Sequence, residues 1–276
     1  LSRRGGKQLT NILFWIVTPA VIVQSFQMDF DREIMIKLGW SALCSIIAHL
    51  VGILLITIFF RRYNGEASES VLKYSVVFSN NGYMGIPLAL AVSGNMGVVY
   101  VSATLVIFNI INFTYGIWLF QKNKAGFNWK KILLNPGVLG VAIGLPFFFL
   151  SIQLPEIVSM PLGMLADMNT PLAMLVCGSL LATCDFKGWY KDRGLWPTLI
   201  SRLILVPAIV LGILLAIGVP EDVRLPLMAA ISCPTAMAAT MFANMFNGDV
   251  KLASKLVAVT TLFSIVTIPV FVALAK

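Results

Sequence analysis

The chain has 276 residues, of which 58% are hydrophobic and only 12% charged, with a formal net charge of +8 and a mean hydropathy of +0.89. A soluble domain carries about 25% charged residues, so the composition excludes a soluble globular protein and indicates a polytopic membrane protein. The excess of Lys and Arg lies in short connections between apolar runs, which argues for orientation in a lipid bilayer and against a nucleic-acid partner.

Taken in order, apolar runs close to the ~20 residues needed to cross a bilayer fall at 9–27, 34–60, 71–92, 98–120, 132–152, 162–183, 195–217, 225–246 and 252–275. The expected fold class is therefore an all-α polytopic membrane protein with nine spans. The third run cannot be a regular helix, because Ser79-Asn80-Asn81-Gly82-Tyr83-Met84-Gly85-Ile86-Pro87 lies across it. Glycine costs about 1 kcal/mol and proline about 3 kcal/mol in a helix interior. The eighth run is interrupted in the same way at Ile231-Ser232-Cys233-Pro234-Thr235. In hydrocarbon a broken backbone survives only if buried in protein or facing a watery cavity, so both breaks mark a place to hold a solute.

With nine spans, sixteen of the twenty basic residues fall on one side, and only Arg32, Lys37, Arg224 and Lys276 fall on the other. By the positive-inside rule the first residue is cytoplasmic and the C-terminus is outside, in a plasma (inner) membrane. Arg202 is counted with the cytoplasmic set, as a snorkelling anchor.

The prolines also reveal an internal repeat. Pro87 follows Pro19 by 68 residues, and Pro234 follows Pro171 by 63. The run at 132–152, opened by Asn135-Pro136-Gly137, has no counterpart before Pro19. The economical expectation is a five-plus-five design whose first helix is absent from this chain, with a first repeat at 1–121 and a second at 122–276. Five is odd, so the halves have opposite orientation, the inverted repeat of many secondary transporters.

Ser79 to Leu88, Asn135-Pro136, Pro234-Thr235-Ala236 and Gly248-Asp249 together resemble the auxin efflux carrier family of permeases, whose bacterial members include malonate and malate carriers. The resemblance implies a ten-helix fold shared in outline with bile-acid sodium symporters. It implies that the fourth and ninth family helices, the third and eighth spans here, are broken and cross. It also implies a scaffold domain (about 1–28 and 132–183) that supports a homodimer, and a mobile transport domain (about 34–121 and 195–275).

Where two broken helices cross, the N–H groups that open their second halves converge, and helix N-termini attract anions. The expected guest is a small organic anion, a mono- or dicarboxylate. Asn80 and Asn81 offer amides there; Gly82 and Gly85 allow close backbone approach, and Pro87 helps to break the helix. Ser232, Pro234 and Thr235 form the opposite break. The plainer alternative is that these residues only kink and pack their helices. Asn109 and Asn112 share a helical face, so they form either a polar cavity wall or hydrogen bonds to neighbouring helices.

For a coupling proton or sodium the candidates are Asp167, lying with Asn169 and Thr170 just ahead of Pro171, then Gln24 and the single histidine, His49. Each has a structural alternative: Asp167 reaching water at a helix end, His49 bonded to a neighbouring helix. Cys44, Cys177, Cys184 and Cys233 have no metal-type spacing, and no catalytic constellation exists. The expectation is a secondary carrier without cofactor or metal. An anion channel and a non-transporting membrane sensor or scaffold are the alternatives.

Overall fold

The computed structural model describes residues 3–63, 68–121, 133–183, 190 and 192–276. The basic connections at 122–132 and 184–189, with Cys184, lie outside the described residues. The described chain forms helices α1 (3–25), α2 (Arg32–Phe59), α3 (Glu69–Val77), α4 (81–93), α5 (95–121), α6 (Pro136–Phe149), α7 (Glu156–Asp167), α8 (Asn169–Thr183), α9 (Leu195–Ala216), α10 (Glu221–Ile231), α11 (Ala238–Met245) and α12 (Val250–Leu274). No sheet occurs among the described residues. One isolated antiparallel bridge, between Ser79 and Thr235, is present.

Among the described residues, six helical stretches are long and apolar enough to cross a membrane: Gln8–Ser25, Arg32–Phe59, Asn81–Phe120, Glu156–Ser179, Leu195–Ala216 and Val250–Leu274. Length alone thus gives fewer than the nine runs read from the sequence. The reasons are local. The third and eighth runs are cut into short pieces, and the fifth forms only the 14 residues of α6. The stretch Asn81–Phe120 is divided at Gly94, whose φ of +60° and ψ of −154° are open to glycine. A Cβ on Gly97 would stand 2.4 Å from the Ala89 carbonyl oxygen, so the chain doubles back there and α5 runs against α4.

Helix α2 shows how sequence sets burial in this fold. Asp31 caps it, accepting from the Glu33 amide at 2.6 Å. Its buried stripe carries Ser41, Ser45, Ala48, His49, Gly52 and Leu55, whereas Leu43, Ile46, Leu50, Leu54 and Ile58 are exposed. The polar side chains Ser41, Ser45 and His49 face inward and large aliphatic ones cover the exposed face, the polarity expected when the surrounding medium is lipid.

The main core joins α2 to α5 with α9 to α12 around the ring cluster of Tyr74, Phe78, Phe108 and Phe242, and it continues into α1 and α6 through Val21, Ile22, the adjoining Phe26, Val141 and Phe148. Helix α1 packs on α6, α7 and α8. Small residues allow close approach: a Cβ on Gly140 would lie 3.1 Å from the Pro19 Cα. A separate apolar cluster, Leu13, Val17, Leu172, Ala173 and Val176, holds α1 to α8, and Tyr83 of α4 and Met237 ahead of α11 rest against it. Cys44, Cys177 and Cys233 are buried free thiols.

Candidate functional site

The two interrupted helices meet at their interruptions. Helix α3 ends where the Phe78 amide bonds the Tyr74 carbonyl at 3.0 Å. The Asn80 amide then donates to the Pro234 carbonyl at 2.8 Å, and the Ala236 amide donates to the Phe78 carbonyl at 2.9 Å. These two bonds close the bridge between Ser79 and Thr235. Backbone groups freed by each break are therefore satisfied by the other, which answers the cost of polar backbone away from water.

The first break is shorter than the sequence suggested. Asn81–Gly85 forms a wide helical turn that leads directly into the α-helix at Ile86, so Gly82, Gly85 and Pro87 lie inside α4 and not in the gap. Proline is tolerated at the start of a helical segment, where its missing N–H removes no bond. The gap is Phe78, Ser79 and Asn80. Gly85 has a packing role: a Cβ there would lie 3.1 Å from the Ala230 Cβ at the end of α10.

The second break is braced from two sides. The Thr235 amide donates to the Thr260 Oγ1 of α12 at 3.2 Å, and the Thr235 Oγ1 donates to the Ser75 carbonyl of α3 at 3.0 Å. Ser232 is buried and its Oγ has no hydrogen-bond partner. Asn80 Nδ2 and Asn81 Oδ1 are likewise buried and unpartnered, while Asn81 Nδ2 reaches the Thr104 Oγ1 at 3.5 Å. Amides of Asn81, Gly82 and Tyr83 precede the first bonded amide of α4, Met84, which donates to the Asn80 carbonyl at 3.0 Å. Met237, just ahead of α11, and Ala238, its first residue, stand in the same position, before Ala239 bonds the Ala236 carbonyl. Each set is the electropositive start of a helix.

Beside the crossing stands a cation that sequence reasoning misplaced. Arg202 sits in the wide turn Ser201–Leu205 of α9 and is only 2% exposed. Its Nη1 donates to the Val76 carbonyl at 3.0 Å, and its Nη2 donates to the Ile231 carbonyl. Those carbonyls belong to the last turns of α3 and α10. A helix C-terminus behaves as roughly half a negative charge, so one guanidinium offsets two of them. Arg202 is therefore no surface anchor. The signal was available: a charged residue well inside an apolar run is rare and usually functional.

Arg202, His49 and Asn81 line a small internal cavity of ≈ 20 Å³, together with Ser45, Thr104 and Ile231. Of the remaining candidates, Asn112 accepts from the Tyr74 hydroxyl at 2.6 Å, and Asn109 Nδ2 donates to the Leu105 carbonyl of its own helix at 2.8 Å. Neither lines the cavity. Asp167 is exposed at the end of α7, whereas Asn169 is 1% exposed with both amide atoms unpartnered. Gln24 is half-buried with an unpartnered Oε1. No group of acids, histidines and cysteines able to hold a metal occurs among the described residues.

Comparison with known proteins places the chain in a family. Residues 1–130 and 125–272 match the sequence model of the family described as "Membrane transport protein". An uncharacterized transporter of Methanocaldococcus jannaschii is 23% identical over 285 residues, covering 97% of this chain and 89% of the relative. These matches bear out the resemblance to auxin efflux carrier permeases.

Proposed function

We propose, from the premise that the chain belongs to the membrane transport protein family, that it is a secondary active carrier of small organic anions. The substrate class is mono- or dicarboxylates, in the size range of malonate, malate or an auxin. The observation that carries the reading is the bridge between Ser79 and Thr235, which brings the starts of α4 and α11 to one point. Preorganised amide donors at paired helix N-termini favour a carboxylate without a lysine or arginine in direct contact. Discontinuous helices used in this way are the usual substrate sites of inverted-repeat carriers.

The finer topology belongs to the same proposal. An antiparallel bridge has a local two-fold axis, the relation expected between halves inserted in opposite orientations. In this reading the chain has nine spans in a plasma membrane, from a cytoplasmic first residue to an outer C-terminus, and its repeats are 1–121 and 122–276. Helices α1 and α6 to α8 form the scaffold and the dimer contact, and the remaining helices carry the crossing in an elevator-like movement. The contact of Tyr83 and Met237 with Leu13, Val17 and Leu172 is apolar, which suits sliding.

A thermal-stability screen of the purified protein against acetate, malonate, malate and indole-3-acetate tests the reading, because a ligand of the folded state raises its apparent stability. Stabilisation by at least one carboxylate, and none by matched neutral amides, is expected. Equal effects of both sets would reject the anion specificity.

A further inference from the structure

Behind the crossing, His49 and Arg202 face one cavity from two different helices, α2 and α9. Each helix directly precedes the broken helix of its own half. His49 is buried between the rings of Phe78 and Phe108, with centroid separations of 5.6 and 5.9 Å. Its Nδ1 lies 2.7 Å from the Ser45 carbonyl. A carbonyl only accepts, so Nδ1 carries the hydrogen and the neutral ring presents a bare Nε2 lone pair. That Nε2 has no protein partner, and neither do Arg202 Nε and Asn81 Oδ1.

The cavity of ≈ 20 Å³ exceeds the ~10–15 Å³ that one water needs. Two acceptors and one donor on its wall match a single water, which donates twice and accepts once. Such a water would join His49 to Arg202 and to Asn81, the first residue of α4. His49 and Asn81, at the start of α4, thus line one cavity.

The charges around His49 determine when it can take a proton. On its own helix the nearest titratable neighbour is the Cys44 thiol, and Lys37 is paired at the far end with Glu33 and Asp222. Helix α3 contributes Glu69 and Lys73, paired with each other, and Tyr74, whose hydroxyl is held by Asn112. Helix α5 contributes Tyr100, which lines the separate pocket beside Lys37 and Asp222. Helix α10 contributes Glu221, Asp222 and Arg224 in its first turns, at the opposite end from Ile231, and Arg61 and Tyr63 follow α2 at its far end. Arg202 of α9 is the charged group on the cavity itself.

A proton on His49 therefore sets two cations against one cavity in a low-dielectric interior, an arrangement with strong mutual repulsion. An anion at the starts of α4 and α11 relieves it. We infer that His49 is the coupling-proton site, taking up one proton at Nε2 when a carboxylate occupies the crossing and releasing it when the carboxylate leaves. The inference rests on the carrier reading above and adds the coupling ion. The proton comes from the aqueous side to which the site is open and leaves on the other. Anion and proton then move together, and a monocarboxylate crosses without net charge. By linkage, whatever raises proton occupancy raises anion affinity by the same factor.

Calorimetric titration of the purified protein with malonate and with acetate, between pH 7.0 and 8.5 in buffers of different ionisation enthalpy, tests this. Carboxylate binding should be accompanied by proton uptake and should strengthen as pH falls, by at most about tenfold for each unit. In His49→Gln and His49→Asn both the proton uptake and the pH dependence should vanish, in protein whose monodispersity and thermal transition show it to be folded. Binding by the natural protein with no proton uptake would overturn the inference and leave the carrier reading standing. Undiminished uptake in a folded His49 variant would overturn the assignment to this residue. If neither anion binds, and the thermal screen finds no other carboxylate ligand, the carrier reading and this inference fall together.

Discussion

The backbone amide of Asn80 lies 2.8 Å from the carbonyl oxygen of Pro234, across 154 residues of chain. With its companion from Ala236 to Phe78, this bond makes each break the hydrogen-bond partner of the other. Neither half-helix pair is satisfied alone. The geometry of the candidate site is thus a property of the pairing.

Asn80 and Asn81 combine burial with unpartnered amide atoms at the start of α4. Replacing Asn81 by Leu removes polar atoms from the cavity wall while leaving the bridge, which uses main chain. Loss of one or two hydrogen bonds to a charged guest corresponds to about 1.5–3 kcal/mol each. Carboxylate flux into proteoliposomes should fall by at least tenfold, with normal membrane insertion. Flux equal to that of the natural protein would remove Asn81 from the site.

Arg202 holds two helix ends through a planar fork. A lysine keeps the charge but lacks that fork, and a methionine leaves both carbonyls without the cation. Arg202→Met should be the more damaging, by about 1.5–3 kcal/mol for each charge-assisted hydrogen bond lost, and Arg202→Lys intermediate. Thermal unfolding in one detergent orders the three proteins. A methionine variant as stable as the natural protein would contradict the capping role.

Gly97 and Gly39 offer a paired test of the turn at Gly94. A Cβ on Gly97 collides with the Ala89 carbonyl, whereas nothing lies within 4 Å of one on Gly39. Gly97→Ala should lower folded yield sharply, since the obstacle is backbone. Gly39→Ala should be neutral or stabilising by up to about 1 kcal/mol, because alanine is the better helix former. Size-exclusion profiles and melting curves of the two variants distinguish the outcomes.

Thr235 ties the second break to α3 and α12. Thr235→Val leaves the Ser75 carbonyl without this donor and should cost about 1–2 kcal/mol. Thr260→Val removes the acceptor for the Thr235 amide. Because both act on one strand of chain, the double variant should lose less than the sum, which a double-mutant cycle on melting temperature would register.

Much of this was legible in the sequence because polar and helix-breaking residues are costly in lipid. Asn80, Asn81 and the Pro234-Thr235 pair stand out against apolar neighbours, and the structure brings them together. The extent of the first break was not legible. Gly82, Gly85 and Pro87 read as breakers by propensity, yet a wide turn absorbs them into α4, where close packing on Ala230 uses Gly85. Asn109 and Asn112 are both buried, but Asn112 serves Tyr74, a partner on another helix that spacing does not reveal. Arg202 was misread because counting charges by side takes no account of depth. Its partners are carbonyls made available by the breaks, and no acidic residue in the sequence announces them.

The most direct test of a carboxylate site at the crossing is an experimental structure of the purified protein with a stabilising carboxylate bound. Density within about 3 Å of the amides of Asn81 to Tyr83 and of Met237 and Ala238 is the expected result. A carboxylate seated elsewhere, for instance beside Lys37 and Asp222 in the pocket that Tyr100 lines, would contradict it.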